Sequence, residues 1–481
     1  MSRTEIIGNR ARTKIVATVG PACRSPEHLR ALIRAGVDVF RLNMAHGTIE
    51  AQQQVVTDIR AASREVGRPV GILVDLAGPK IRLGELFEDP TTCEAGSEFQ
   101  FVRGDQAKAR NELTSNYALL IDELKVGDSV MLADGTVGMQ VSARDANSVT
   151  CQVVAAGLIR SRQGINLPGA ALSVPAMTDA DWEHARWAAK AEVDFVSLSF
   201  VRGPAEILQL KDLLLTQGST AMVIAKIEKR EALERLEEIV AASDGVMVAR
   251  GDLGVEIDVA ETAVAQKRII GVCQRFLKPV IVATQMLDSM HHSRRPTRAE
   301  VSDVSNAILD GADACMLSGE TAIGEFPVDA VQMMNRIMLA TERLLADAPA
   351  QPPPIAPLAG VHPVTAAVAY GAGRIASQLA AKLVVIATRS GGTARVKSKQ
   401  RDFIPAIGVS ESEPTLRRMC LFWGITPLPG APLADGPKLR AHISAWGKAD
   451  GILTPGDRVV FVTGSEVVPT AHNLLVVHEV E

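Results

Sequence analysis

Short apolar runs rich in Val, Ile and Ala alternate with amphipathic stretches along the first two thirds of the chain. The amphipathic stretches predict helices, for example at Pro26–Ala35, Asp179–Ala191, Glu231–Ala242 and Arg298–Leu309. Buried strands that alternate with helices form parallel sheets, and about eight such strands close a TIM (β/α)8 barrel. The pattern therefore predicts this barrel, with strands at Thr13–Val19, Val37–Leu42, Val70–Asp75, Phe195–Phe200, Met222–Glu228, Gly245–Ala249, Pro279–Thr284 and Ala312–Leu317.

The stretch between the third and fourth of these strands is too long for one crossover helix. Its middle is rich in Gly, Asp, Thr and Val, and short strands are predicted at Ser129–Leu132, Gly138–Ser142 and Val149–Val154. The pattern predicts an inserted small β-barrel that forms a lid over the catalytic face. The alternative, one long irregular loop, is uncommon inside compact proteins.

A third unit follows the barrel. After a predicted helix at Pro327–Leu345, a proline-rich stretch is typical of a linker, and the rest of the chain alternates again. A helix at Val364–Gln378 and strands at Leu383–Thr388, Ile404–Val409, Arg458–Thr463 and Leu474–Val477 predict a C-terminal α/β domain. The predicted boundaries are 1–79 and 168–346 for the barrel, 80–167 for the lid, 347–362 for the linker and 363–481 for the last domain.

Composition narrows the function classes. The chain has 481 residues, 47% of them hydrophobic, and a formal net charge of −4, so no basic bias points to nucleic acid. Its 6 cysteines are scattered without a CxxC pair, which argues against a disulfide framework and a zinc site. No apolar run is long enough to cross a membrane, and the polar residues 1–12 lack a signal core. We expect a cytoplasmic protein without a membrane partner.

Polar and ionisable residues follow the predicted barrel strands. TIM barrels place catalytic groups at the carboxyl ends of their strands, so these residues should share one rim. A rim salt bridge would explain any one of them, but not the whole set. The set comprises Arg41 and Asn43, Asp75, Lys226 and Glu228, Arg250, Gly251 and Asp252, and Thr284.

This set suits phosphoryl transfer. Lys226 and Glu228 are two residues apart on a strand and therefore face the same side. Glu228 and Asp252, on neighbouring strands, can hold Mg²⁺, which usually takes one or two carboxylates and fills its other positions with substrate oxygens and water. Lys226 can neutralise a phosphoryl group in transfer, and Arg41 can grip a phosphate with two hydrogen bonds. Gly251-Asp252-Leu253-Gly254 leaves room for a ligand near the backbone, although an ordinary strand-to-helix turn has the same pattern.

Several motifs at these residues resemble the pyruvate kinase family, and the likeness extends over essentially the whole chain. Each motif alone is a weak signal, but their combination and order are specific. The motifs are Thr13–Pro21, Arg41–Asn43, Ile224–Glu228, Met247–Gly254, Ala283–Leu287, Arg295–Glu300 and Met316–Ala322.

The resemblance implies transfer of the phosphoryl group of phosphoenolpyruvate to ADP, giving pyruvate and ATP, with Mg²⁺ or Mn²⁺ as cofactor. It leaves open whether Thr284 protonates the enolate or orders a water. The implied roles are Glu228 and Asp252 as metal ligands; Lys226, Arg41 and Thr284 as catalytic residues; Arg41, Lys226, Gly251, Asp252 and Thr284 as substrate-binding residues; Asn43, His46 and Arg82 near the nucleotide; and Ser199 and Arg202 as supporting residues.

The sequence departs from the family where most members build a K⁺ site from oxygen ligands. Ala45 stands in place of Ser, Leu76 in place of Thr, and Lys80 in place of Glu. We expect the ammonium of Lys80, beside Asn43 and Asp75, to replace the monovalent cation, so that K⁺ is not required. Some members with these replacements work without K⁺. The alternative is a solvated surface lysine.

A loop in the last domain resembles the phosphate loop where many members bind allosteric effectors. Its candidate residues are Thr388, Ser390, Gly391 and Thr393, although a plain strand-to-helix turn is an equal alternative. The later loop Thr463–Pro469 carries Glu466, which disfavours a bisphosphate. Family members are usually homotetramers, so we expect one here.

Two other functions remain open from the sequence alone. One is a Mg²⁺-dependent TIM-barrel lyase or aldolase that forms an enolate, which would need neither the lid nor Lys226. The other is a non-catalytic paralogue that only binds effectors. The presence of Lys226, Glu228 and Asp252 argues against it.

Overall fold

The computed structural model describes residues 10–170, 173–346, 361–464 and 474–481. The expected linker at 347–362 falls outside these ranges except for its last two residues, and so do residues 1–9 and most of Thr463–Pro469. The chain opens with three parallel strands and two helices, each helix capped by a Ser or Thr side chain that accepts a backbone N–H. These elements are β1 (Lys14–Thr18), α1 (Pro26–Ala35), β2 (Val39–Asn43), α2 (Ile49–Val66) and β3 (Gly71–Asp75).

The insertion after β3 contains eight short strands and one short helix in its described residues. Six of them form a sheet in the order β11-β7-β8-β9-β5-β6, and β4 pairs with β10. Bridges from Arg82 to Gly164 and from Leu83 to Ser115 join the two edges of the sheet, which curls into a small barrel. The elements are β4 (Thr91–Cys93), β5 (Glu98–Val102), β6 (Glu112–Leu113), α3 (Leu120–Glu123), β7 (Ser129–Leu132), β8 (Val137–Arg144), β9 (Ser148–Ala155), β10 (Gly157–Ile159) and β11 (Ile165–Asn166).

Five further strands complete a closed parallel barrel in the order β1-β16-β15-β14-β13-β12-β3-β2, which confirms the predicted TIM barrel. The elements are α4 (Asp179–Lys190), β12 (Phe195–Leu198), α5 (Pro204–Thr216), β13 (Met222–Ile227), α6 (Arg230–Glu234), α7 (Leu236–Ala242), β14 (Gly245–Ala249), α8 (Arg250–Glu256), α9 (Thr262–Arg275), β15 (Val280–Ala283), α10 (Arg298–Leu309), β16 (Ala314–Leu317), α11 (Gly319–Ala322) and α12 (Pro327–Ala346).

The last domain is an α/β layer whose sheet has the order β19-β18-β17-β20-β21. Side chains from α15, among them Leu416 and Met419, belong to the same apolar cluster as the barrel interior, so this domain closes the amino-terminal end of the barrel. The elements are α13 (Pro363–Gln378), β17 (Leu383–Ala387), α14 (Gly392–Lys399), β18 (Ala406–Val409), α15 (Glu413–Met419), β19 (Ile425–Leu428), α16 (Gly436–Ala449), β20 (Arg458–Thr463) and β21 (Leu474–Glu479).

One helix differs from the sequence-based expectation. The single helix predicted at Glu231–Ala242 is wrong, because the structure has two helices, α6 and α7, that meet at Arg235. Arg235 has φ −106° and ψ 24°, outside the helical range. Its guanidinium packs where a Cβ on Gly203 would stand and pairs with Glu238. In the described part of the chain, no helix has the length and apolarity needed to cross a membrane.

Candidate active site

Strand alternation places the candidate residues inside the mouth of the barrel. Met222 and Ile224, two residues apart on β13, belong to the interior apolar cluster. Lys226 is the next residue on the same side of this strand. Leu73 on β3 and Val39 on β2 are likewise interior, so Asp75 and Arg41 point the same way. The hydrophobic pattern therefore fills the barrel with apolar side chains and leaves its carboxyl end to charged ones.

Asp75 connects several side chains at the mouth of the barrel, a role that was not predicted from the sequence. Its buried carboxylate accepts hydrogen bonds from Arg41 Nε at 2.9 Å, Arg41 Nη2 at 2.5 Å and Ser197 Oγ at 2.6 Å, and lies 3.5 Å from Lys226 Nζ. Burial alone would raise the pKa of Asp75, but Lys226 and Arg41 outweigh it and hold this pKa below its usual range. Arg41 also donates to Thr18 Oγ1 at 3.1 Å. The signal in the sequence is an acidic residue that ends a wholly apolar strand.

Lys226 lies between two carboxylates. Its ammonium is 2.8 Å from Glu228 Oε1 and 3.5 Å from Asp75 Oδ1, and it donates to Ser199 Oγ at 2.7 Å. Burial lowers the pKa of Lys226, but Asp75 and Glu228 more than offset it, so this pKa lies above the ordinary value. Lys226 is therefore a permanently charged group at the centre of the mouth. Of the two expected supporting residues, Ser199 is the one that accepts from Lys226, and Arg202 pairs with Glu206.

Glu228 and Asp252 form the candidate metal site. The side chain of Glu228 is only 1% exposed, and its Oε2 accepts the backbone N–H of Phe200 at 2.7 Å. Burial raises the pKa of Glu228, and the nearby negative charge of Asp252 raises it further. The positive charge of Lys226 lowers this pKa but only partly offsets the increase. A buried carboxylate with a second negative charge nearby provides a place that a cation would stabilise.

The donor set suits Mg²⁺ better than a metal held wholly by protein. Among residues 10–170, 173–346, 361–464 and 474–481, no group of three or more His, Cys, Asp or Glu side chains could hold a metal ion. Mg²⁺ needs only one or two carboxylates when substrate oxygens and water complete its shell. Glu228 and Asp252 meet that requirement.

Thr284 lies against the loop that carries Asp252. Its Oγ1 accepts the backbone N–H of Gly251 at 2.8 Å, and its carbonyl accepts from Arg250 Nη2 at 2.8 Å. Thr284 has φ +69° and Gln285 has φ +53°, a left-handed backbone that non-glycine residues seldom adopt. Arg250 also pairs with Asp303 at 2.7 Å, which fixes the turn. The structure therefore brings Thr284 and Gly251 together as expected.

Lys80 faces a different partner from the one expected. Its ammonium lies 3.8 Å from Asp252 Oδ1, whereas the carboxylate of Asp75 is bound by Arg41, Ser197 and Lys226. The Lys80 side chain is 34% exposed and lies where the inserted domain leaves the barrel, with its Cε close to Gly164. Lys80 thus brings its positive charge to the edge of the candidate metal site.

The three expected nucleotide residues are divided between the barrel and the inserted domain. Asn43 ends β2, where its Oδ1 accepts the N–H of Ala45 at 3.1 Å, and the carbonyl of His46 accepts from Gln52 at 2.9 Å. Arg82 is on the inserted domain, where its guanidinium donates to the carbonyl of Arg162 at 3.2 Å. The candidate nucleotide residues therefore come from two domains, with Asn43 and His46 on the barrel and Arg82 on the inserted domain.

The candidate effector loop is a compact turn between β17 and α14. Gly391 has φ +88°, its N–H donates to Thr388 Oγ1 at 3.1 Å, and the N–H of Gly392 lies 3.5 Å from Ser390 Oγ. Thr388 and Thr393 are buried, and Ser390 is exposed. The carbonyl of the intervening residue, Arg389, accepts from Thr415 on α15 at 2.7 Å.

Taken together, the mouth of the barrel holds a fixed ammonium, a guanidinium and two carboxylates suited to a divalent cation. The fold and this site define a TIM-barrel enzyme for anionic substrates, with an inserted β domain over its mouth.

Comparisons with known proteins are specific. The family model of the pyruvate kinase barrel domain matches residues 10–331, and that of the pyruvate kinase alpha/beta domain matches residues 366–478. The pyruvate kinase of Corynebacterium glutamicum is 39% identical over 468 residues, which cover 97% of each chain. Pyruvate kinase 2 of Synechocystis is 42% identical over 94% of this chain and 76% of its own. A crystal structure of a pyruvate kinase from Cryptosporidium parvum has a TM-score of 0.91 at 33% identity, covering 99% of this chain and 97% of that one.

The chain belongs to the pyruvate kinase family and is a phosphotransferase. The family uses a divalent metal, in agreement with the carboxylate pair at the barrel mouth.

Proposed function

We propose that this enzyme transfers the phosphoryl group of phosphoenolpyruvate to ADP with Mg²⁺ bound at Glu228 and Asp252, and that it does so without K⁺. The observation that carries the proposal is the position of Lys226 Nζ, 2.8 Å from Glu228 and 3.5 Å from the carboxylate that holds Arg41. Phosphoryl transfer requires positioning and charge stabilisation more than covalent chemistry, and these groups supply both.

Arg41 and Lys226 act on the phosphoryl group. Asp75 accepts from two nitrogens of Arg41, at 2.9 and 2.5 Å. Arg41 Nη1 donates to Thr18 Oγ1 at 3.1 Å, a bond to a neutral hydroxyl that it could exchange for a phosphate. Because Asp75 and Glu228 raise the pKa of Lys226, its ammonium stays charged and can stabilise the group as it moves between oxygens. When bound, the divalent ion would neutralise phosphate charge and polarise the enolate oxygen. Mn²⁺ fits the same oxygen ligands.

The substrate carboxylate would lie at the start of α8. The backbone N–H of Asp252 and the hydroxyl of Thr284 would be donors on that side. The N–H of Gly251, which donates to Thr284 Oγ1 at 2.8 Å, would share its hydrogen with the substrate carboxylate. Thr284 would thereby lie at the face of the enolate where a proton must arrive to give pyruvate. Its hydroxyl either delivers that proton or orders the water that does.

The nucleotide would occupy the cleft between Asn43 and His46 on the barrel and Arg82 on the inserted domain. Residues 80–167 would then close as a lid and exclude water from the transfer.

The remaining boundaries that we propose are 1–79 and 168–346 for the catalytic barrel, 347–362 for the linker and 363–481 for the last domain. A homotetramer in the cytoplasm, with a phosphorylated effector at Thr388, Ser390, Gly391 and Thr393, completes the proposal.

Lys80 supports independence from K⁺. Ala45 and Leu76 bring no side-chain oxygen to the place where most members bind K⁺, and Lys80 carries a fixed positive charge to within 3.8 Å of Asp252. An ammonium bound to the chain can supply the electrostatic effect of a monovalent cation and needs no free ion.

Steady-state kinetics test the proposal. With phosphoenolpyruvate, ADP and Mg²⁺, coupled detection of pyruvate and ATP should show turnover with tetramethylammonium as the sole monovalent cation. A strict requirement for added K⁺ would refute the proposed role of Lys80 but not the proposed activity. Absence of both products under all cation conditions would refute the activity itself.

A further inference from the structure

The turn after β12 lies between two residues of β13 and its end, Lys226 and Glu228, and the strand β3, which leads into the inserted domain. Ser199 Oγ accepts from Lys226 Nζ at 2.7 Å and donates to the carbonyl of Leu76 at 2.7 Å. The next residue, Phe200, donates its backbone N–H to Glu228 Oε2 at 2.7 Å. Ser199 and Phe200 therefore contact Lys226 and Glu228, and Ser199 also contacts Leu76, the residue that follows β3.

The backbone of Phe200 is in an unusual conformation. Its φ of +54° lies in the left-handed region, which costs a bulky residue free energy and persists only where the surroundings hold it. This conformation turns the N–H toward the buried carboxylate of Glu228. The strain is thus located at a contact with a proposed metal ligand.

The ring of Phe200 contacts the hinge of the inserted domain. A Cβ built on Gly78 would lie 2.8 Å from Cδ2 of that ring and 3.0 Å from Cβ of Ser199, so only glycine leaves room for the ring. Gly78 has φ +68° and stands directly before Pro79, where the chain leaves the barrel. Phe200 therefore connects the hinge glycine to Glu228 within one residue.

The other side of the ring is not tightly packed. Lys229 Nζ lies 5.8 Å from the ring centroid, and Phe200 lines a cavity of about 270 Å³ between the barrel and the inserted domain. The ring has space to follow a displacement of Gly78, and its own backbone would carry that displacement to Glu228.

We propose that Phe200 is a positioning residue whose backbone orients the metal ligand Glu228 and whose ring bears on the hinge glycine Gly78. Movement of the inserted domain and the orientation of Glu228 are then coupled. The inference rests on the proposed function, because it takes Glu228 as a ligand of the divalent ion.

Two glycine substitutions separate this contact from backbone strain. Gly78→Ala and Gly169→Ala both place alanine at a left-handed φ, +68° and +74°, in the two connections of the inserted domain, but Gly169 has nothing within 4 Å of its Cβ position. Binding of Mn²⁺ to the full-length enzyme is measured from the electron paramagnetic resonance signal of the free ion. Gly78→Ala should weaken binding about tenfold, the usual effect of disturbing a residue that orients a metal ligand. Gly169→Ala should change it less than about twofold.

The double variant decides whether the ring transmits the effect. In a Phe200→Ala background, Gly78→Ala should change Mn²⁺ affinity by less than about twofold, because the ring that it displaces is gone. Equal losses from the two glycine variants, or an undiminished loss in the alanine background, would overturn the inference. If wild type binds no Mn²⁺, or if Glu228→Gln leaves the affinity unchanged, the proposed function fails and the inference fails with it.

A separate measurement serves if Gly78→Ala does not fold. In the wild type, Mn²⁺ should slow backbone hydrogen exchange in the hinge peptide around residues 76–82. In Phe200→Ala, most of that protection should disappear. Protection of the same size in both proteins would overturn the coupling between the metal site and the hinge.

Discussion

Asp75→Asn is the substitution that perturbs the site most informatively. The amide has the shape of the carboxylate but no charge, so the hydrogen bonds from Arg41 and Ser197 can partly survive while the attraction to Lys226 is lost. Lys226 Nζ lies 3.5 Å from the Asp75 carboxylate, a distance at which an effective dielectric constant of about 20 gives roughly 5 kcal/mol of attraction. Glu228 is then left to offset burial without Asp75, and the pKa of Lys226 should fall.

Two consequences follow. Turnover of Asp75→Asn should decline at alkaline pH, where the wild type keeps Lys226 charged. The folded protein should also lose about 3 kcal/mol of stability at neutral pH, because buried cations lose their partner. The folded-state pKa of Asp75 is lowered, so its contribution is present above the ordinary aspartate pKa and is lost as the pH falls through the folded-state value. The stability difference between the two proteins should therefore shrink in acid.

The assays are a pH profile of kcat and urea unfolding at neutral and acid pH. Ser197→Ala is the matched control, because it removes one hydrogen bond of 2.6 Å from a neutral hydroxyl to the same carboxylate and leaves the carboxylate charge in place. This variant should lose about 2 kcal/mol of stability and keep the wild-type kcat profile at alkaline pH. An Asp75→Asn profile that overlays the wild-type profile would show that Asp75 does not hold Lys226 in its charged form.

Three further predictions concern single groups. Lys226→Met should keep the fold and phosphoenolpyruvate binding but lower kcat by at least about 10³-fold, as removal of a transition-state charge does; wild-type-like kcat would mean that the role is misassigned. Arg417→Met should lower the free energy of unfolding by about 2 kcal/mol in urea titrations, because Arg417 Nε donates to buried Asp194 at 2.7 Å, and an unchanged midpoint would contradict this. All 6 cysteines are buried, and burial raises the pKa of Cys273 and Cys315 to about 12, so a thiol reagent should react with the enzyme only after unfolding; fast reaction of the folded protein would contradict that burial.

The barrel could be predicted from the sequence because its strands are buried on both faces and appear as uninterrupted apolar runs. Elements at the edge of the last sheet could not be predicted in this way. The strand β19, Ile425–Leu428, is short, half-exposed and contains Pro427, a composition typical of an edge strand and indistinguishable from a loop. The helix α16 was not predicted either, although Leu439, Ile443 and Trp446 recur at helical spacing after the N-cap Asp435.

The residues of the site could be predicted from their places at strand ends, but their pairing could not. Strand parity predicts that Lys226 and Glu228 face one side; it does not predict that Asp75 bridges Arg41 and Lys226. The pairing of Lys80 with Asp252 depends on how the inserted domain sits on the barrel, which no local pattern encodes. The contact of Phe200 with Glu228 depends on a left-handed φ, which propensities do not reveal for a bulky residue.

The decisive measurement of the metal and phosphate positions is a crystal structure with Mn²⁺ and phosphoenolpyruvate, without ADP. We expect an anomalous manganese peak in contact with carboxylate oxygens of both Glu228 and Asp252, and a substrate phosphate within hydrogen-bond distance of Arg41 and Lys226. A manganese peak away from both carboxylates, or a phosphate out of reach of Lys226, would contradict it.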